Sequence, residues 1–173
     1  MRVLAFGASY SKQSINRQFA TYVAKQFVND DVEVVDLNRF SAPLFTVDVE
    51  AQGHYPDGVY EFVSWVEAAD FIIISMAEHN GSYTAAFKNL FDWSSRLDSK
   101  IFKGAKVLLL STSPGERGAA SVMAQALDRF PRHGADIVDH FSLPSFNDNF
   151  DSEIGVTHPE LKSQLDEIIA KYA

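Results

Sequence analysis

The sequence contains no cysteine. That removes disulfide bridges, thiolate nucleophiles and cysteine-ligated metal, and it suits a reducing cytoplasm. Positive charge is scarce as well: 15 Lys and Arg stand against 23 Asp and Glu, a formal net charge of -8. Nonspecific binding to nucleic acid or to anionic lipid needs basic surface, so neither partner is expected. No apolar run approaches the ~20 residues of a membrane span. The first residues show no basic stretch followed by a long apolar one, so no secretory signal is expected and the chain is placed in the cytoplasm. His54, His79, His133, His140 and His158 fall in no metal-ligand spacing such as H-E-x-x-H. Asn147, Asn149 and Asp151 alternate as calcium ligands do, but Ser152 and His158 stand where that loop needs Gly and Glu. An acidic surface turn is expected there, and no metal.

What is present is a chain of 173 residues, the size of one domain spanning 1–173, with 46% hydrophobic residues to build a core. Its 14 phenylalanines make that core, or a ligand pocket, rich in aromatics. Val3 to Phe6 reads as a buried strand. Ile15, Phe19, Tyr22, Val23 and Phe27 then recur at helical spacing, predicting a helix that ends near Asn29. Val32 to Leu37 is a second strand, and Arg39 to Pro56 an irregular segment long enough to be functional. A helix through Val59, Phe62, Val63, Val66 and Ala69 leads to the apolar strand Phe71 to Ser75. A third helix carries Tyr83, Phe87, Leu90 and Phe91, and Lys106 to Ser111 is a fourth strand. Val122, Met123, Ala126, Leu127 and Phe130 mark a fourth helix, Asp136 to Leu143 a fifth strand, and Leu161 to Tyr172 a closing helix.

Strands alternating with helices predict an α/β fold, a parallel sheet with helices on both faces. Five units favour a flavodoxin-like three-layer sandwich with a five-stranded parallel sheet of order 2-1-3-4-5. Such sheets bind ligands beyond the carboxyl ends of their strands, so the chemistry is expected in the loops after strands one, three and four.

Gly7 to Asn16, GASYSKQSIN, offers hydroxyls at Ser9, Ser11 and Ser14 beside a helix N-terminus, whose free amides and dipole attract anions. It reads equally as an ordinary turn with a serine N-cap. It is neither a G-x-G-x-x-G fingerprint nor a P-loop, and Gly7 to Ser11 misses the last glycine of G-x-S-x-G. Ala77 to Ser82, AEHNGS, would lie beside it, with Gly81 permitting main-chain amides to face a planar ligand. The alternative for this stretch is that Asn80 and Ser82 start a helix and His79 is a solvated surface residue. Lys88 and Asp92 are spaced i,i+4 as a helix ion pair. Ser111 to Ala119, STSPGERGA, is the third loop, where Pro114 and Gly115 make a turn.

Taken in order, these three motifs resemble those of the NADPH-dependent FMN reductase family, which includes quinone, azo-dye and chromate reductases. The family's G-S-x-R-x-x-S-x-N is matched by Ala8 to Asn16. Its P-E-Y-N-G-S-x-P-G-x-L-K-N-x-x-D-W is matched by Ala77 to Ser82 and Lys88 to Trp93, and its S-P-G-x-R-G-G by Ser113 to Ala119. The resemblance implies that Ser9, Ser11, Ser14, Ile15 and Asn16 hold the FMN phosphate end. It implies that Glu78, His79, Asn80 and Gly81 run along the isoalloxazine edge, and that Ser113, Gly115 and Arg117 border the ring. The chain departs from the family at Ser11 (arginine), His79 (tyrosine) and Thr84-Ala85 (Pro-Gly), and Glu116 puts a carboxylate near the proposed flavin.

The implied reaction is hydride transfer from NADPH or NADH to the flavin, followed by two-electron reduction of a quinone, azo, flavin or similar small-molecule acceptor. Histidine can give or take a proton near neutral pH, so His79 is the candidate proton donor and the one catalytic side chain. A homodimer or homotetramer is implied too. Two alternatives remain: a flavin-binding electron carrier, and a fold relative that has lost FMN and acts as an interaction protein.

Overall fold

Burial along the chain decides which strands lie inside. The computed structural model describes residues 1–173. It contains β1 (Arg2–Gly7), β2 (Asp31–Val34), β3 (Phe71–Met76), β4 (Lys106–Thr112) and β5 (Asp136–Leu143). Every residue of β3 is buried, as are all but the first of β1 and β4. Strands covered on both faces read as unbroken apolar runs because water reaches neither side. β2 mixes exposed with half-buried positions, β5 does so as far as Phe141 and Leu143, which are buried, and the two form the edges. The sheet is wholly parallel in the order β2-β1-β3-β4-β5, the flavodoxin-like α/β arrangement that the strand count predicts.

Side chains alternate across a strand, so each inner strand feeds two cores. Leu4 and Phe6 of β1, with Ile72 and Ile74 of β3, face α2 (Asp57–Glu67), α3 (Ala85–Leu97) and α4 (Ala120–Arg129). Val3 and Ala5, with Ile73, face α1 (Ile15–Ala24) and α5 (Pro159–Ile169). The first core is the larger, 27 buried residues against 16, and holds Phe87, Phe91, Phe102 and Phe130 in mutual ring contact.

Several boundaries differ from expectation, each for a local reason. α1 stops at Ala24, and Phe27 is buried from the turn that follows. β2 stops at Val34 because Asp36 turns the chain: its carboxylate accepts from the Asn38 amide at 3.0 Å and starts a 3-10 turn at Leu37–Arg39. Tyr83 lies outside α3, whose N-cap is Thr84. Phe130 lies in a 3-10 turn beyond α4. Phe146–Asn149 is a helical turn, followed by a small hairpin pairing Phe150–Asp151 with Gly155–Val156.

The irregular segment after β2 is strapped to α3 of its own chain. The Asn89 side chain accepts from the Phe45 amide at 2.7 Å and donates to the Pro43 carbonyl at 3.0 Å; Trp93 Nε1 donates to the same carbonyl at 2.8 Å. Arg96 pairs with Glu50 on the one-turn helix Val47–Glu50 at 2.7 Å. Asn89 and Trp93 of the K-N-x-x-D-W stretch thus hold this strap, while Lys88 and Asp92 form the expected i,i+4 pair at 2.7 Å.

Candidate functional site

The carboxyl ends of β1, β3 and β4 lie side by side, Gly7 opposite Ser75 and Met76 opposite Ser111. The loops leaving them meet in one cleft of about 280 Å³. From the first loop it is lined by Ser9, Ser11, Gln13, Ser14, Ile15 and Asn16. The second loop adds Ala77, Glu78 and His79, and the third Thr112, Ser113 and Pro114. Asn80, Gly81, Gly115 and Arg117, singled out from the sequence, do not line it.

Gly7 lets α1 start close to the sheet. A Cβ there would stand 2.3 Å from the Arg17 amide nitrogen, a backbone atom that cannot swing aside. Ser14 caps α1, its Oγ accepting from the Arg17 amide at 3.1 Å, and Ser9 Oγ accepts from the Ser11 amide at 3.1 Å. Both hydroxyls therefore act as acceptors inside the loop and keep their protons for an anion. The amides of Ile15 and Asn16, at the helix start, have no intrahelical acceptor. Such a set of free donors can take an anion.

Asn16 has a different role. It is 3% exposed, and its side chain is spent within the protein. Oδ1 accepts from Ser75 Oγ at 2.7 Å and from the Thr112 amide at 3.1 Å, while Nδ2 donates to the Thr112 carbonyl at 3.1 Å. One amide group thus ties the ends of β3 and β4 to the start of α1. Thr112 continues the chain of bonds, its hydroxyl donating to the Leu143 carbonyl at 2.7 Å.

The second loop is a tight hairpin rather than a helix start. Glu78 pairs with Tyr83 and His79 with Ser82, leaving Asn80 and Gly81 as a two-residue turn with φ of 51° and 76°. Both central residues at positive φ is the type I′ pattern, which Asn-Gly favours most strongly. The helix begins only after Thr84, whose Oγ1 accepts from the Phe87 amide at 3.3 Å and donates to the Ala8 carbonyl at 3.0 Å. Glu78 turns its carboxylate away to accept from the Val122 amide at 2.9 Å, capping α4, which has no cap of its own at Ala119. One oxygen of the only carboxylate lining the cleft is thereby engaged by α4. His79 is exposed at the rim.

Over residues 1–148 the chain matches the family described as NADPH-dependent FMN reductase. The chain belongs to that family. This FMN reductase family uses FMN and NAD(P)H, and it is a family of oxidoreductases. Among similar proteins are a quinone reductase of Escherichia coli K12, 33% identical over 121 residues that make up 69% of this chain and 64% of the relative. An NADPH:quinone oxidoreductase of Arabidopsis thaliana is 30% identical over 125 residues, 70% of this chain and 62% of the relative. The chain thus spans just under two thirds of the length of these two relatives. In fold it is similar to FerB, a flavoenzyme NAD(P)H:(acceptor) oxidoreductase from Paracoccus denitrificans. The TM-score is 0.77 at 21% identity, over 98% of this chain and 93% of that one.

Against the FMN reductase motifs, the third loop carries its strain visibly. Gly118 has φ of 54°, and a Cβ on it would meet the Leu143 carbonyl at 3.1 Å. Ala119 stands at the family's second glycine with φ of 65°, a left-handed conformation that costs a non-glycine residue about 1 kcal/mol. Ser11, in place of the family's arginine, is exposed and brings no charge, and Glu116 is exposed. Arg117 donates to Ser121 Oγ at 2.9 Å on α4. Thr112, Ala77, Pro114 and Gln13 line the cleft without having been assigned a site role from the sequence. For Thr112 the available signal was its place one residue past the predicted end of β4.

Proposed function

We propose that this chain is an FMN-dependent NAD(P)H oxidoreductase that reduces a quinone, azo compound, flavin or similar small molecule by two electrons. The observation that carries the reading is the convergence of three loops on one cleft whose free donors suit a phosphate and whose lone lining carboxylate has one oxygen engaged by α4. When bound, FMN supplies the redox chemistry, accepting hydride from NAD(P)H and delivering two electrons to the acceptor. The chain's own residues bind and orient. Ser9, Ser11, Ser14 and the first-turn amides of Ile15 and Asn16 hold the phosphate, with the α1 dipole in place of a cationic side chain. The Asn16 side chain holds the loops in register. Ala77, Glu78 and His79 flank the ring edge on one side, and Thr112, Ser113 and Pro114 on the other. Asn80, Gly81, Gly115 and Arg117 contribute by shaping the second and third loops.

His79 at the rim is the proton donor to the reduced acceptor in this reading. Replacing it with Gln should lower acceptor turnover while leaving FMN affinity intact; unchanged turnover would remove the role. The protein works as one domain over 1–173, as a homodimer or homotetramer, in the cytoplasm. No helix is long and apolar enough to cross a membrane.

The test is titration of the chain with FMN, followed by flavin fluorescence and absorbance. Anaerobic NADPH is then added to look for bleaching of the bound flavin. Saturable binding and bleaching support the oxidoreductase. Tight binding without NAD(P)H oxidation selects a flavin-binding electron carrier instead. Absence of binding selects a fold relative that has lost FMN.

A further inference from the structure

The hairpin of the second loop is too small to hold its own shape. It has two residues in each strand, Glu78–His79 and Ser82–Tyr83, joined by the turn at Asn80 and Gly81. An isolated two-stranded hairpin is marginal in water even when longer. What fixes this one must come from outside it, and that support sets where Ala77, Glu78 and His79 stand in the cleft.

The support comes from α4 and the turn after it. At the base of the hairpin, Glu78 accepts from the Val122 amide at 2.9 Å and Tyr83 stacks on Phe130 at 6.3 Å. At the tip, the Gln125 side chain makes two bonds at once. Its Nε2 donates to the Gly81 carbonyl at 2.8 Å, and its Oε1 accepts from Ser82 Oγ at 2.9 Å. Chemistry fixes which end of the amide is which: a carbonyl only accepts, so the nitrogen faces Gly81 and the oxygen is left for the Ser82 hydroxyl. Val122 and Gln125 are spaced i,i+3, which puts them on one face of α4. The hairpin lies close along that face, since a Cβ on Gly81 would stand 3.9 Å from Ser121 Cβ.

Ser82 is the cross-strand partner of His79. Gln125 therefore grips the hairpin opposite a residue of the cleft rim, without lining the cleft itself. α4 also begins at Ala120, where the third loop ends. Through Val122 and Gln125 the second and third walls of the cleft are joined outside it.

We infer that Gln125 is a positioning residue for the cleft. It clips the tip of the 78–83 hairpin to α4 and so holds Ala77, Glu78 and His79 in place for the ring of a bound ligand. The identity of that ring rests on the FMN reading. The clip acts on the hairpin and not on the first loop, so it matters equally to flavins with and without a phosphate.

The test has one arm without flavin and one with it. In the nitrogen-15-labelled full chain alone, Gln125→Leu should lower the order parameters of the Asn80 and Gly81 amides from the rigid range to below about 0.6. The amides of α3 and α4 should stay rigid. The melting temperature should stay within about 2 °C, since Gln125 is exposed. Ser82→Ala removes one of the two bonds and should loosen the tip less; added to Gln125→Leu it should change nothing more, as parts of one clip are not additive. In the second arm, Gln125→Leu should weaken FMN and riboflavin by the same factor, about fivefold, the net worth of a hydrogen bond. Ser9→Ala, at the phosphate end, should weaken FMN alone. Unchanged order at Asn80 and Gly81 in Gln125→Leu would overturn the clip. A loosened tip with unchanged affinity for both flavins would overturn the positioning role. Loss of order across α4, or weakening of FMN alone, would overturn it too, by making Gln125 a general support of the fold or of the first loop. A wild-type chain that binds neither flavin would instead sink the oxidoreductase reading, and the order parameters would still decide the clip.

Discussion

Two polar regions of the molecule are built on opposite principles. At the cleft, the polar groups of the floor are satisfied before any ligand arrives: Asn16 alone completes three hydrogen bonds to Ser75 and Thr112. Beside α3, Tyr83 and His133 each leave a buried polar atom without a partner. A floor already satisfied holds its geometry in the absence of ligand, which suits preorganised binding of a cofactor. A polar atom buried without a partner carries a cost. The comparison separates buried polar groups that hold a shape from buried polar groups left unpaired.

That contrast can be broken by substitution. The largest effect is expected for Gly7→Ala, because the added Cβ meets the α1 backbone at 2.3 Å and the whole helix start must move. Thermal denaturation should show a loss of about 3 kcal/mol or more, at the upper end for overpacking, and FMN titration should show no saturation. Asn16→Leu keeps similar bulk but strips three bonds from the cleft floor, orphaning Ser75 Oγ and both main-chain groups of Thr112. A loss of about 3 kcal/mol in denaturant titration is expected, with FMN affinity falling alongside. If Asn16→Leu left stability unchanged, the satisfied floor would not be what holds the cleft.

The mirror experiment sharpens the comparison from the other side. Tyr83→Phe removes a hydroxyl that has no partner, so the chain should gain stability, by about 1 kcal/mol in the same titration. Opposite signs for Asn16→Leu and Tyr83→Phe are the signature of the two designs. Smallest is a pH effect from His133, whose ring is held below the ordinary histidine value of 6.5, mainly by burial. The unfolded chain then binds the proton more readily than the folded one. This contribution is fully present above pH 6.5 and is lost as pH falls through 6.5 toward the lower folded value. His133→Gln should flatten that part of a plot of stability against pH.

Much of this arrangement was legible along the chain. The inner strands announced themselves as continuous apolar runs, and strand order then brought three particular loops together. Asn-Gly at 80–81 is a hairpin signal that neither reading of the stretch used, the ligand-facing turn or the helix start at Asn80 and Ser82. The deciding fact is backbone: both turn residues take positive φ, and Thr84 rather than Ser82 caps α3. Glu78 as the cap of α4 could not be read, since the Val122 amide that donates to it lies 44 residues away. The Asn16 network spans 96 residues for the same reason. Side-chain hydrogen bonds over such separations leave no periodicity.

The sequence by itself determined the alternation of strands and helices, the parallel sheet and the family motifs, because apolar periodicity and turn residues act over a few neighbours. Only the tertiary structure decided which polar side chains are consumed inside the protein and which remain to meet a ligand. That choice depends on the distance between atoms far apart in the chain, and folding alone sets it.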